Sequence, residues 1–173
     1  DPALHPDVME EILNLYSDTI PVFVDPVSCA YAETIVDFIG KFHTAKPNIL
    51  ETEILSGMKI KSKKDLYKAA EKILDKGLKR IFISLGADGC LYMDREGKHI
   101  ERKLAPVEHM VNASGAGDAF MAAVIYSYIN AFTLDKTIDY GLAAGIVAIS
   151  HEKTINPNMS VSLIENILKE RKI

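Results

Sequence analysis

The sequence predicts an α/β protein with three α/β/α layers, in which helices cover both faces of a mostly parallel sheet. Short apolar runs of strand length alternate with longer segments whose apolar residues recur at helical spacing. Each short run is apolar almost without interruption, which is typical of strands buried on both faces. Together, the alternation and the uninterrupted runs indicate a sheet covered by helices on each side.

The first part of the chain predicts a helix, a strand and a second helix. Residues 7–16 follow Pro6, begin with an acidic residue and keep helical spacing, as expected of a helix start. Residues 21–25 form a short apolar run that ends in an Asp-Pro pair, which is typical of a buried strand and its end. Ser28 would cap the next helix, at residues 30–38.

The middle of the chain repeats this alternation. Residues 46–50 are predicted to form a second short strand, and residues 51–55 to begin another helix. Ser62 is placed to cap a helix that runs to Asp75 and is ended by Gly77.

A third strand and a hairpin follow. Residues 79–85 have the composition of a buried strand. Residues 89–93 and 99–104 flank turn residues at 95–97 and look like an antiparallel hairpin. The rest of the chain predicts three helices, at residues 115–129, 134–150 and 161–169.

Composition and charge argue against several classes of protein. The chain has 173 residues, 48% hydrophobic and 25% charged, with a formal net charge of −4, which suits one globular domain without a footprint for nucleic acid. Two cysteines, Cys29 and Cys90, are too few for a disulfide framework or a zinc cluster, and the five histidines show no metal-ligand spacing. No segment reaches the ~18 apolar residues of a membrane span, and we expect no signal peptide. We therefore expect a cytoplasmic protein with reduced thiols and with neither nucleic-acid nor membrane partners.

The most informative motif is Asn-Ala-Ser-Gly-Ala-Gly-Asp-Ala-Phe at residues 112–120, which runs directly into an apolar helical segment. Unpaired N–H groups and the positive end of the helix dipole favour an anion at such a helix start. Asp118 would lie beside that anion, where a carboxylate suits a base for an attacking hydroxyl. Gly-Ala-Gly runs also form ordinary tight turns, so spacing alone leaves both interpretations open. The motif lacks the Gly-Lys-Ser/Thr of a P-loop and the third glycine of the dinucleotide fingerprint.

Two further motifs fall at predicted strand ends. Asn48 and Glu51 stand three residues apart, where oxygen ligands and waters suit Mg²⁺, although the same spacing also forms a capping box and the two roles can coexist. The segment from Ser84 to Gly89 has glycines that allow a close approach of a nucleotide to the backbone, or else a plain turn. With Asp25 and the Gly115 loop, these motifs lie at or just beyond strand carboxyl ends, where α/β sheets bind ligands.

Three motifs in this order, Asn-x-x-Glu, Ser-Leu-Gly-x-x-Gly and Gly-Ala-Gly-Asp, resemble the C-terminal half of ribokinase-like sugar and nucleoside kinases, the PfkB family. The resemblance covers essentially the whole chain, and the Gly-Ala-Gly-Asp-Ala-Phe signature is specific. It implies a Rossmann-like (ribokinase-like) fold without the N-terminal half and lid, in which residues 1–173 form the ATP-binding and catalytic part. Residues 24–28, 43–57 and 154–160 are most similar to pseudouridine kinases.

The resemblance implies a role for each motif. Asp118 would be the catalytic base, and the amides of Gly115, Ala116 and Gly117 would form the anion hole for the transferring phosphoryl group. Asn48 and Glu51 would hold Mg²⁺ and phosphate, largely through waters. The residues expected to contact ATP or shape its pocket are Asn48, Ser84, Gly86, Asp88, Gly89 and Asn156.

The implied activity is transfer of the ATP γ-phosphate to a primary hydroxyl, with the 5′-hydroxyl of pseudouridine as the expected acceptor. A ribokinase-like or fructokinase-like activity, or nucleotide binding without catalysis by the fragment alone, remain alternatives. The expected partners are ATP and a small sugar or nucleoside, with a homodimer in the intact protein.

The sequence also departs from the family pattern. Asn112 stands where many relatives have an aspartate that helps neutralise a monovalent cation, so potassium dependence stays open. A lysine common in pseudouridine kinases is not evident after Ser28. The sugar-binding residues and lid of the N-terminal half are not seen, and the chain begins at Asp1 rather than at methionine, which suggests a fragment.

Overall fold

The computed structural model describes residues 3–104, 111–112 and 114–171. Within these ranges, helices and strands alternate much as predicted. In chain order they are α1 (Pro6–Tyr16), β1 (Phe23–Val24), α2 (Cys29–Ile35), β2 (Thr44–Ala45), α3 (Ile49–Ser56), α4 (Lys63–Asp75), β3 (Arg80–Ser84), β4 (Cys90–Asp94), β5 (His99–Arg102), α5 (Ala116–Ile129), α6 (Leu134–Ile149) and α7 (Val161–Arg171). Short 3-10 turns lie at Ile39–Lys41 and Gly86–Asp88.

The predicted strand at residues 46–50 is wrong. The strand lies at Thr44–Ala45, and α3 already begins at Ile49, where Asn48 caps the helix. Ile49 and Leu50 therefore form the first helical turn, and Leu50 is 60% exposed rather than buried in a sheet. An apolar pair beside a capping residue has the composition of either element, and the cap decides for the helix. Similarly, α2 ends at Ile35, before the predicted end at residue 38.

The five strands form one sheet in the order β1-β2-β3-β4-β5. The first three strands are parallel, with Phe23 opposite Thr44 and Thr44 opposite Arg80. β4 and β5 are neighbours joined by a tight turn in which the Gly97 N–H donates to the Asp94 carbonyl. Only an antiparallel pair can be joined so closely, which confirms the predicted hairpin.

The chain divides into two compact units, one comprising residues 1–86 and 91–101, the other residues 87–90 and 102–173. In the first unit, apolar residues of the helices and strands form one core, which includes Ile35, Leu55, Ile73 and Ile83. The amphipathic α4 shows how the sequence directs this packing. Ser62 caps it as predicted, its charged residues face solvent, and Leu66, Ala70 and Ile73 are buried.

The second unit contains α5, α6 and α7, which pack around Ala123, Ala143, Val147 and Ile164. Small residues on α6 permit close packing of α6 against its neighbouring helices. No helix in the described ranges has the length and apolar character required to cross a membrane.

Candidate active site

In the first unit, polar residues collect at the carboxyl ends of the parallel strands. Asp25 follows β1, Lys46 follows β2, and Ser84 ends β3, where it forms an isolated parallel bridge with Asn48. Because β1, β2 and β3 are parallel, their carboxyl ends lie on the same side of the sheet, and α/β proteins bind ligands at these strand ends. The structure thus brings together Asn48 and Ser84, two of the predicted site residues.

A buried ion pair lies at these strand ends. The Lys46 Nζ lies 2.9 Å from the Asp25 Oδ2, and the two side chains are only 6% and 16% exposed. The other Asp25 oxygen accepts a hydrogen bond from the Val27 N–H, 3.2 Å away. Sequence reasoning singled out Asp25 but missed Lys46. The only sequence feature that could have indicated Lys46 is its position directly after a strand, next to Pro47 and Asn48.

Asn48 and Glu51 form a complete capping box. The Asn48 Oδ1 accepts from the Glu51 N–H at 3.0 Å, and the Glu51 Oε2 accepts from the Asn48 N–H at 2.8 Å. Glu51 is only 2% exposed, and this burial raises the pKa of its carboxyl group, while the hydrogen bond from the Asn48 backbone opposes the rise. The capping interpretation of this motif is therefore confirmed.

The expected Mg²⁺ role of Asn48 and Glu51 stays a prediction. In the part of the chain that the structure describes, no group of three or more His, Cys, Asp or Glu residues is arranged to hold a metal ion. Mg²⁺ commonly keeps several waters and binds through one or two protein oxygens together with substrate phosphates. One amide and one carboxylate at a strand end fit that mode of binding.

The loop after β3 has an exposed part and a buried part. Ser84 is held at its start, because its N–H donates to the Pro47 carbonyl at 2.9 Å. Gly86 and Asp88 are exposed in the following 3-10 turn, whereas Gly89 is buried. Gly86 and Gly89 both have positive φ, of 62° and 98°, as the glycine spacing suggested.

Substitution of Gly89 tests whether glycine is needed there for close backbone packing or only for a turn with positive φ. A Cβ atom at Gly89 would lie 2.0 Å from the Arg102 carbonyl oxygen, so Gly89→Ala combines a steric clash with backbone strain. We expect the free energy of unfolding to fall by more than about 2 kcal/mol. In the matched variant Gly86→Ala, nothing lies within 4 Å of the new atom, and a loss of about 1 kcal/mol is expected. Urea denaturation measures both, and equal losses would contradict the packing explanation.

In the second unit, the start of α5 has no side-chain cap among the described residues. Gly115 is its N-cap residue, with φ of 84°. By contrast, α6 in the same unit is capped by Thr133. Gly117 and Asp118 are exposed, so the first turn presents backbone N–H groups and a carboxylate to solvent. A helix start of this kind binds anions, because the N–H groups and the helix dipole both favour negative charge.

The segment that follows α6 lies directly behind this helix start. A Cβ atom at Gly115 would lie 2.3 Å from the Thr154 carbonyl oxygen, so the two backbones are in contact. Asn156 is buried; its Nδ2 donates to the Val147 carbonyl, and its Oδ1 accepts from the Asn158 N–H. These bonds hold the segment against α6. A contribution of Asn156 to nucleotide binding, through the shape of this segment, stays a prediction.

Comparison with known proteins assigns the family. The profile of the pfkB family of carbohydrate kinases matches residues 3–160. The chain belongs to this family. The fold prediction is also confirmed, because this pfkB chain superposes on a solved structure from Clostridium perfringens, assigned as a sugar kinase, with a TM-score of 0.89. That superposition has 36% identity and covers 98% of this chain and 52% of the other.

Two curated relatives of the pfkB chain have different activities. A pseudouridine kinase from Escherichia coli is 34% identical over 168 residues, which cover 92% of this chain and 53% of that enzyme. A 1-phosphofructokinase from Borreliella burgdorferi is 32% identical over 144 residues, which cover 83% of this chain and 45% of that enzyme. The chain spans about half the length of the relatives it matches.

Proposed function

We propose that this chain is the ATP-binding and catalytic part of a kinase that transfers the γ-phosphate of ATP to the 5′-hydroxyl of pseudouridine. The observation that carries the proposal is the uncapped start of α5, where Gly115 provides the N-cap and Asp118 is exposed in the first turn. Membership of the pfkB family supports phosphoryl transfer. The match to a pseudouridine kinase supports the choice of acceptor.

Each unit has its own part in this reaction. In the second unit, the N–H groups of Gly115, Ala116 and Gly117 bind oxygens of the transferring phosphoryl group. The Asp118 carboxylate accepts the proton of the acceptor hydroxyl, whose oxygen then bonds to the γ-phosphorus while the bond to the ADP oxygen breaks. Phosphoryl transfer depends more on positioning and charge stabilisation than on a strong base, and an exposed aspartate in a first helical turn is adequate for it.

Asn48 and Glu51 of the first unit would hold Mg²⁺ through waters, and the bound ion would neutralise phosphate charge. The loop from Ser84 to Gly89 contacts the ATP phosphates and ribose through Gly86 and Asp88. Potassium dependence stays open in the proposal, because Asn112 is neutral and both polar ends of its side chain are hydrogen-bonded to the chain. The intact kinase would act in the cytoplasm as a homodimer.

A second candidate is a kinase for a phosphorylated sugar, which the match to a 1-phosphofructokinase favours. A nucleotide-binding module without catalysis is the remaining alternative for the fragment alone.

Two measurements test the proposal. Calorimetry should detect ATP binding to the 173-residue chain in the presence of Mg²⁺. Steady-state assays of the intact kinase with pseudouridine, uridine, adenosine, ribose, fructose and fructose 1-phosphate should give the highest kcat/KM for pseudouridine, by at least about tenfold. Preference for a sugar or sugar phosphate would refute the acceptor, while ATP binding without product from any acceptor would favour the non-catalytic module.

A further inference from the structure

Two backbone segments of the second unit are joined beside the start of α5. The N–H groups of Val111 and Asn112 both donate to the Ile149 carbonyl, at 2.9 and 3.2 Å. Gly115 contacts the backbone of Thr154. The segment that leads into α5 therefore contacts both the C-terminal end of α6 and the segment that follows it.

The Asn112 side chain links these segments at both of its polar ends. Its Nδ2 donates to the Glu152 carbonyl at 3.0 Å, and its Oδ1 accepts from the Ser114 N–H at 2.9 Å. One bond holds Asn112 to the segment after α6, and the other holds the Ser114 N–H, directly before Gly115. An amide can make both bonds because it has a donor and an acceptor, whereas an aspartate carboxylate can only accept and an alanine can do neither.

We propose that Asn112 is a positioning residue that orients the Gly115–Gly117 amides for phosphate by hydrogen-bonding to Glu152 and Ser114. This inference rests on the proposed function of the α5 start. Gly115 has no side chain with which to hold the loop, so the conformation of the loop depends on the residues around it. The neutral amide provides this support without placing a negative charge beside the phosphate.

The test compares Asn112→Ala with a matched control at the other end of α5. Asn130 also donates its Nδ2 to a backbone carbonyl, that of Tyr126, at 2.8 Å, so Asn130→Ala removes a similar bond away from the loop. In the ligand-free 173-residue chain, we expect Asn112→Ala to raise amide exchange at Ser114 by about tenfold, because its N–H loses the Asn112 acceptor. We expect its affinity for ATP with Mg²⁺ to fall by about tenfold, with exchange in α7 unchanged. Asn130→Ala should leave both the loop exchange and the ATP affinity within about twofold of wild type.

Asn112→Asp separates the two bonds. It keeps an acceptor for Ser114 but loses the donor to Glu152, so we expect the Ser114 amide to stay protected while ATP binding weakens. Unchanged loop exchange and ATP affinity in Asn112→Ala would overturn the proposal, as would increased exchange throughout the second unit, which would indicate general structural support. If wild type fails to bind ATP but exchange rises only around Ser114, the proposed function fails, while the loop-holding role of Asn112 stands.

Discussion

Asp118→Asn is expected to lower the turnover number of the intact kinase by roughly 10²- to 10⁴-fold, the usual contribution of general base catalysis. An asparagine has nearly the same shape but cannot accept the proton of the acceptor hydroxyl. Asp118 is exposed in the first turn of α5, so the substitution should leave folding and ATP binding largely intact. Initial-rate measurements of ADP release, together with thermal unfolding and calorimetry with ATP, separate loss of catalysis from loss of structure.

Asp7→Asn is the matched control. Asp7 is another exposed aspartate in the first turn of a helix, α1, and the proposal gives it no role in the reaction. We expect its turnover number to stay within about twofold of wild type, since most surface substitutions have small effects. Near-normal turnover of Asp118→Asn would show that another group, or water, accepts the proton.

Lys46→Met is expected to cause the largest loss of stability, about 3 kcal/mol in the free energy of unfolding. The substitution leaves Asp25 largely buried without its cation, and breaking a buried pair by removing one partner costs about 3–5 kcal/mol. We take the lower end of that range because the Asp25 side chain keeps 16% exposure to water. Urea denaturation at neutral pH, with the midpoint and slope fitted together, gives the change.

Two further variants show whether the buried charge is responsible. The double variant Asp25→Asn/Lys46→Met removes both charges and should recover most of the lost stability. Lys59→Met removes a lysine that also pairs with a carboxylate, at 2.8 Å from Glu53, but its side chain is 79% exposed and little change is expected. If Lys46→Met lowers the free energy of unfolding no more than Lys59→Met does, the buried ion pair does not stabilise the fold as inferred.

Elements marked by neighbouring residues could be predicted from the sequence. Ser62 and the apolar spacing after it specify α4, and the turn at residues 95–97 specifies the hairpin, because caps and turns depend on contacts only a few residues apart. The second strand was misplaced for the same local reason. Ile49 and Leu50 have strand composition, and only the capping box at Asn48 and Glu51 assigns them to α3.

The candidate site was predictable where a motif is continuous and not where it depends on distant contacts. The Gly-Ala-Gly-Asp loop and its open helix start follow from consecutive residues. Lys46 was missed because its partner, Asp25, follows a different strand, and nothing near either residue indicates that the two pair. The hydrogen bond from Asn112 to Glu152 could not be anticipated either, since it joins segments that are far apart in sequence.

The sequence by itself therefore determined the α/β class and most helix starts, and it singled out the residues proposed to carry the chemistry. Periodicity, capping and turn formation act between neighbours, and their patterns are visible in the order of residues. Only the tertiary structure decided that Lys46 neutralises Asp25, that Gly89 must lack a Cβ beside Arg102, and that Thr154 supports Gly115. These contacts join distant residues, and their energies depend on burial and on separations of a few ångströms, which exist only once the chain has folded.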